Sequence, residues 1–346
     1  MLITCEQVSD GHPDKICDQI SDAIVTECLI HDKNSRVAVE CMIKGYDVFI
    51  AGEVTSRHFP DYGALALTVL ERIGLGDLEQ YRMHIYISRQ SPDIALGVDI
   101  GGAGDQGTVC GYATDETPEL LPVPYVLATS VLQKLRSSHI DGLLPDAKCQ
   151  ATYDDRTEKI TTLLLSTQHR DDMRLDEIRS IVLRIMKQSA DMMCLNSDFE
   201  ALINPTGRFV LGGSFADTGV TGRKIMCDMY GGIVGQGGAL SGKDPTKVDR
   251  SAAYMARKIA RDIVNDGLAR RCEVSLSYAI GLVDPIAVSI NCFGTNRIPI
   301  SELLNLVFEN YDLTPQGIIQ TLHLTDVDYN TVSAFGHFGK PWLPWE

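Results

Sequence analysis

The strongest constraint on the fold is a pattern that occurs three times along the chain. In the first third, Ile16, Ile20, Ala23, Ile24 and Cys28 recur at helical spacing and predict a helix over about 14–30. Val37, Val39, Cys41 and Ile43 then alternate, and 46–52 returns as a second strand across a turn containing Gly45. A helix at about 61–73 and a strand at 83–88 complete the unit. The middle third repeats the order, with a helix at about 122–137, a hairpin from 147–154 and 159–168, and a helix at about 174–189. The last third does so again: a helix over 249–265, a hairpin at about 273–281 and 286–293 around Asp284-Pro285, and a helix from near Ser301, a candidate N-cap, to about 310.

A unit recurring at roughly 110–120 residues implies triplication. Strands that come as hairpins, not singly between helices, disfavour a doubly wound sheet. The prediction is an α+β fold of three similar units, spanning 1–95, 101–210 and 212–346, with helices on one face of antiparallel or mixed sheets. Two long glycine-rich connections, 91–107 and 204–242, separate the units. Connections of that length in a compact chain are usually functional or disordered; scattered charged residues without low complexity favour function.

Composition narrows the function. The net charge of −15 over 346 residues argues against a general nucleic-acid binder, which needs a basic footprint. No apolar run reaches membrane-span length, and the first residues lack a signal-peptide pattern, so a cytoplasmic protein is expected. The ten cysteines include no Cys-x-x-Cys pair and several, such as Cys17, Cys28, Cys41 and Cys292, fall in apolar segments; reduced core thiols are expected.

Four segments carry chemistry. Gly237, Gly242 and Lys243 have P-loop spacing, but Asp244 stands where the P-loop needs a Mg²⁺-ligating hydroxyl. The glycines with Lys243 and Lys247 still suit a polyphosphate outside a P-loop fold. Ser9-Asp-Gly-His-Pro-Asp-Lys precedes the first helix, with Pro13 suited to its first turn. Here Asp14 is either a helix cap or a Mg²⁺ ligand, with His12 donating to a phosphate oxygen. Gly102-Ala-Gly-Asp-Gln-Gly surrounds Asp105, as a flexible turn or a close-approach loop. Asn204-Pro-Thr-Gly-Arg-Phe-Val runs on to Asp217 and Thr221-Gly-Arg-Lys, offering Arg208, Arg223 and Lys224 as cations and Phe209 as a stacking face; each cation alone reads equally as solvated surface charge. The helices over about 14–30 and 249–265, each the first of its unit, start alike, with Pro, Asp and Lys. Together these residues fit an enzyme acting on a Mg-polyphosphate.

In their order these motifs resemble the S-adenosylmethionine synthetase family. Gly11-His-Pro-Asp-Lys-Ile, Gln90-Ser-Pro-Asp-Ile, Gly102-Ala-Gly-Asp-Gln-Gly, Asp146-Ala-Lys, Asn204-Pro-Thr-Gly-Arg-Phe-Val, Thr221-Gly-Arg-Lys, Ser241-Gly-Lys-Asp-Pro and Gly336-His-Phe-Gly cover essentially the whole chain. The resemblance implies three α+β domains about a pseudo-threefold axis. It implies attack of the methionine sulfur on C5′ of ATP, then hydrolysis of the triphosphate to pyrophosphate and phosphate. It implies catalysis by His12, Lys148, Arg223, Lys243 and Lys247. ATP would also meet Asp146, Arg208, Phe209, Asp217, Lys224 and Ala239, and methionine Glu53, Gln90, Asp105, Asp217 and Lys247. Two Mg²⁺ per site would be held by Asp14 and Asp249, and K⁺ by Glu40. The partners implied are ATP, L-methionine and further copies of the chain, as a homodimer or dimer of dimers with sites at the interface, with no nucleic acid or membrane.

The chain departs from the family pattern in a shortened loop between Gln90 and Asp105, compression of 74–89, Gln236 and Leu240 in place of the usual Gly and Phe, and an early end after Gly336-His-Phe-Gly. A short gating loop predicts faster exchange and altered substrate tolerance. A tripolyphosphatase or other alkyl transferase on this fold, and a non-catalytic partner subunit, are the competing readings.

Overall fold

A computed structural model describes residues 1–91, 101–235 and 237–346. Gln236 and most of the shortened loop, 92–100, lie outside the described residues.

The three helix–hairpin–helix units form. The first has α1 (Pro13–His31), β2 (Arg36–Lys44), β3 (Asp47–Thr55) and α2 (Tyr62–Ile73), followed by β4 (Arg82–Ser88). The second has α3 (Val123–Ser137), β6 (Leu143–Asp154), β7 (Lys159–His169), α4 (Leu175–Met192) and β8 (Glu200–Ile203). The third has α5 (Val248–Asn265), β10 (Arg271–Tyr278), β11 (Ala287–Asn291) and α6 (Ile300–Asn310), then α7 (Pro315–Thr321). Pro299, not Ser301, caps α6, because its extended backbone ends the preceding loop one residue before the first helical residue.

Each hairpin receives a strand from another part of the chain. β1 (Leu2–Val8) runs antiparallel to β6, β5 (Gly107–Thr114) to β10, and β9 (Gly219–Val220) to β2. The sheets are therefore β1-β6-β7-β8, β5-β10-β11 and β9-β2-β3-β4. In the two four-stranded sheets the last strand joins in parallel, β4 on β3 and β8 on β7. The borrowed strands stitch the units together. The central unit keeps a core of its own, with Leu127, Val131, Leu163, Leu165, Val182 and Met186 buried in it, whereas the first and last units share one continuous core.

All ten cysteines are free, and all but Cys194 are buried. Burial pushes the Cys5 and Cys28 thiols up to about 12, so they serve as small apolar side chains. No helix is long and apolar enough to cross a membrane among the described residues.

Candidate active site

α1 organises the site through three aspartates, Asp14, Asp18 and Asp22, spaced so that they share one helix face. Each accepts a backbone N–H from the last third of the chain: Val220 to Asp14 (2.9 Å), Gly222 to Asp18 (2.8 Å) and Gly242 to Asp22 (2.9 Å). Burying three carboxylates is tolerated because each meets a donor or a cation. The same segments line one edge of β2. Thr221 N–H donates to the Cys41 carbonyl, Val39 N–H to the Gly242 carbonyl, and Asp244 N–H to the Val37 carbonyl, with Lys243 bridging Ala38.

The glycine of the P-loop-like stretch thus serves the fold. Gly242 has φ +82°, and a Cβ there would lie 2.1 Å from the Val39 carbonyl oxygen. Its backbone contacts protein on both sides, where a P-loop would contact phosphate. Asp244 is equally committed: its carboxylate accepts from Val37 N–H and Thr246 N–H and pairs with Lys247.

At the α1 N-terminus the first cluster gathers. Asp14 is not the cap. His12 is, accepting the Asp14 N–H at Nδ1 (3.2 Å), which leaves Asp14 inside the first turn with its carboxylate facing the last third of the chain. Asp14 meets Lys224 Nζ at 2.6 Å and Arg223 Nε at 3.1 Å. Burial alone would push the Asp14 carboxyl up, but hydrogen bonds from Lys224 and Val220 outweigh it and hold it below the usual range. His12 is pushed down to about 4 by burial, then by Lys224, with Asp14 and Asp217 opposing. A neutral imidazole that accepts at Nδ1 carries its proton on Nε2 and can donate there. Lys148 also bears on His12 and pairs with Glu6 at 2.7 Å. Asp146 accepts from Gly213 N–H at 2.8 Å, and burial raises it to about 6, with Asp217 adding to the rise.

The second cluster lies at the start of α5. A pocket of about 220 Å³ is lined by Glu53, Gln90, Asp105, Lys243, Lys247 and Asp249 among others. Lys243 Nζ pairs with Asp249 at 2.5 Å. Gln90 N–H donates to Thr55 Oγ1 at the end of β3. A neighbouring hollow of about 410 Å³ shares Ala38, Glu53 and Lys243 and adds Glu40, Thr221 and Ala239. Neither is lined by His12, Asp14, Lys148, Arg223 or Lys224. The two clusters meet the same edge of β2 four residues apart, at Ala38 and Met42, roughly 13 Å along a strand.

The structure does not gather Arg208 with either cluster. It pairs with Asp171 at 3.0 Å on the surface, while Phe209 N–H donates to His169 Nε2. The sequence reading missed Asp18, Asp22 and the buried Arg250. Arg250 bonds Asp22 (2.8 Å) and the Lys243 carbonyl (2.8 Å) and lies 4.0 Å over the Tyr329 ring, so it fixes the lysine loop to α1. The available signal was the four-residue spacing of aspartates on a helix buried nearly all round.

Three family models match consecutive stretches: the N-terminal domain of S-adenosylmethionine synthetase over 1–92, its central domain over 100–209 and its C-terminal domain over 211–346. The chain belongs to the S-adenosylmethionine synthetase family. It is thus a methionine adenosyltransferase with the three-domain α+β fold of that family. It is 46% identical to the S-adenosylmethionine synthase of Treponema denticola, over 99% of this chain and 95% of the relative. The aligned 368 positions exceed the 346 residues here, so the relative carries residues that this chain lacks. A solved structure titled an unusual S-adenosylmethionine synthetase from Campylobacter jejuni superposes with a TM-score of 0.93 at 36% identity, over 99% of this chain and 96% of that one.

The family's divalent metal suits the donor set. Asp14 is held ionised, and each carboxylate expected to bind Mg²⁺ pairs with a lysine ammonium, Asp14 with Lys224 and Asp249 with Lys243. Both positions attract a cation.

Proposed function

We propose that this enzyme joins methionine sulfur to C5′ of ATP and then cuts the bound triphosphate to pyrophosphate and phosphate. The observation that carries this reading is the charge arrangement around His12: a neutral donor on which Lys224 and Lys148 both bear, with Arg223 paired to the neighbouring Asp14. A thioether is a neutral nucleophile and needs no general base. The barrier lies in alignment and in charge developing on the leaving triphosphate. His12 Nε2–H donates to that group, and the surrounding cations neutralise it. Lys243 and Lys247 serve the same end from the second cluster. Asp146, Phe209 and Ala239 seat the adenosine side, and Arg208 would join them only on leaving its surface pair with Asp171; Glu53, Gln90, Asp105, Asp217 and Lys247 seat methionine.

Asp14 and Asp249 would hold two Mg²⁺, which when bound add positive charge against the polyphosphate. Lys224 and Lys243, released from those carboxylates, would turn to phosphate oxygens. Glu40, exposed beside Lys243, would hold K⁺. The protein acts in the cytoplasm, where free thiols such as its ten persist.

The functional form is a homodimer or a dimer of dimers, its sites pooled from two chains. Two features support this. Each chain carries two separated half-sets of site residues. Between them the first sheet leaves one face open, with Glu40, Ala51 and Tyr86 in one row across three strands and Met42, Phe49 and His84 in the next.

The test is S-adenosylmethionine formation, followed by mass, from ATP, methionine, Mg²⁺ and K⁺. His12→Ala and Lys243→Ala each reduce it by about 10²–10³-fold. Co-expressed, the two inactive chains recover roughly a quarter of wild-type activity, because one site in each mixed dimer is intact. Phosphate release without the sulfonium product would refute the reaction, and absence of recovery would refute the pooled site.

A further inference from the structure

The far end of α1 carries a cluster that the reaction does not use. Glu27 and His31 stand one turn apart near the C-terminus of α1, and His58 comes from the connection between β3 and α2. The two imidazoles stack, with centroids 3.9 Å apart and planes 14° apart. His58 Nε2 lies 3.0 Å from Glu27 Oε1, and His31 Nδ1 lies 3.4 Å from the same oxygen. One ligating atom from each residue lies within 4.8 Å of the other two, and no other such group of His, Cys, Asp or Glu occurs among the described residues.

We propose that Glu27, His31 and His58 bind a divalent transition-metal cation of the zinc type, with a fourth position open to water. Bonds of about 2.0–2.1 Å in a tetrahedron place ligand atoms roughly 3.3 Å apart. The two oxygen–nitrogen separations match that edge; to bind one ion the rings must turn out of their stack, and His31 Nδ1 away from the Glu27 carbonyl it meets at 3.0 Å, so that their in-plane lone pairs converge. Two imidazoles with one carboxylate favour zinc-like ions over Mg²⁺ and K⁺, which prefer oxygen donors. The helix C-terminus adds a favourable dipole for a cation.

The loop that delivers His58 is held independently of the cluster. Asp32 accepts the Arg57 N–H at 3.0 Å, Ser56 Oγ accepts the His58 N–H at 3.1 Å, and Ser35 Oγ lies 2.8 Å from Ser56 Oγ. Such outer support is what fixes ligands at built metal sites. In the metal-free cluster His58 donates from Nε2 to Glu27; on binding, that nitrogen ligates and the proton resides on Nδ1. The ion then ties α1, whose other end bears His12 and Asp14, to the loop after β3, the strand that carries Glu53.

The experiment uses the full-length protein in a Cys194→Ser background, which removes the exposed thiol. Metal is stripped with a chelator, excess Mg²⁺ is added, and the protein is titrated with Zn²⁺ by calorimetry and with Co²⁺ by visible absorption. One Zn²⁺ per chain, visible bands of nitrogen-ligated Co²⁺ and a Zn²⁺-dependent rise in Tm are expected. His58→Ala and Glu27→Gln each weaken Zn²⁺ binding by at least about tenfold and remove the Co²⁺ bands, while His323→Ala, at an exposed histidine elsewhere, changes neither. Co²⁺ spectra recorded well below Tm keep the result independent of any change in stability. The proposal is overturned if His58→Ala keeps the Co²⁺ spectrum, or if the unsubstituted protein binds no more Zn²⁺ than His58→Ala.

Discussion

The starts of α1 and α5 are built from one device and placed in different surroundings. Each has an aspartate in its first turn paired with a lysine: Asp14 with Lys224, 210 residues away in sequence, and Asp249 with Lys243, six residues before it in the loop that enters α5. Each follows that aspartate with a fully buried cation. Lys15 meets Asp18 and Asp228; Arg250 meets Asp22. The contrast lies in solvent. The Asp14 side chain is 0% exposed and the Asp249 side chain 23%. His12 caps α1 with its side chain, whereas Lys247 makes no such bond at α5. A shared local sequence therefore gives a dry, strongly perturbed cluster at one helix and a wetter, exchangeable pair at the other. Burial sets the electrostatics; the motif only supplies the groups.

The buried cations give the largest test of that parallel. Lys15→Met and Arg250→Met should each destabilise the protein by about 3–5 kcal/mol in urea unfolding, because carboxylates remain buried without their partner. If either change costs less than about 1 kcal/mol, the two helix starts do not share an anchor.

Acid separates the two regions next. His12 titrates near 6.5 when unfolded and about 4 when folded, so the unfolded chain binds more protons between those values. Stability from this group is complete above pH 6.5 and falls as pH drops toward 4, by up to about 3 kcal/mol. Asp14, held low, acts in the same direction further down: its contribution is present above about 3.8 and is lost as pH falls through its lower folded value. Replacing His12 with Asn keeps a capping acceptor and should flatten the stability profile between pH 4 and 6.5. An unchanged profile would show that the α1 cluster is no drier than its counterpart.

The smallest effect belongs to the lysine–aspartate pairs. A double-mutant cycle on Lys243 and Asp249 should give a coupling of only about 0.2–1 kcal/mol that shrinks with salt. The same cycle on Asp14 and Lys224 should give about 1–3 kcal/mol and respond less to salt. Equal couplings would erase the contrast.

Much of this was legible beforehand. The helices of α1, α3 and α5 announce themselves through apolar residues at helical spacing, and the three hairpins through alternation bounded by turns. Less legible was the role of each polar residue. Asp14 reads as a cap by position, yet His12 takes that place because the chain enters α1 through Pro13 with an extended backbone at His12. Gly242 reads as a phosphate-loop glycine, yet it is the spot where the chain presses on β2. Asp18 and Asp22 carry no motif of their own; their partners lie about 200 residues away in sequence.

The sequence by itself determined the repeated helix–hairpin–helix units, the inventory of cations and carboxylates, and the family. Those follow from local periodicity and from motif order, which act within a few turns of chain. The tertiary structure alone decided the exchange of β1, β5 and β9 between sheets and the division of the site residues into two clusters. It also decided which carboxylates are dry. Each of those depends on backbone hydrogen bonds and burial between segments far apart in sequence, and no local pattern encodes where a distant N–H will come to rest.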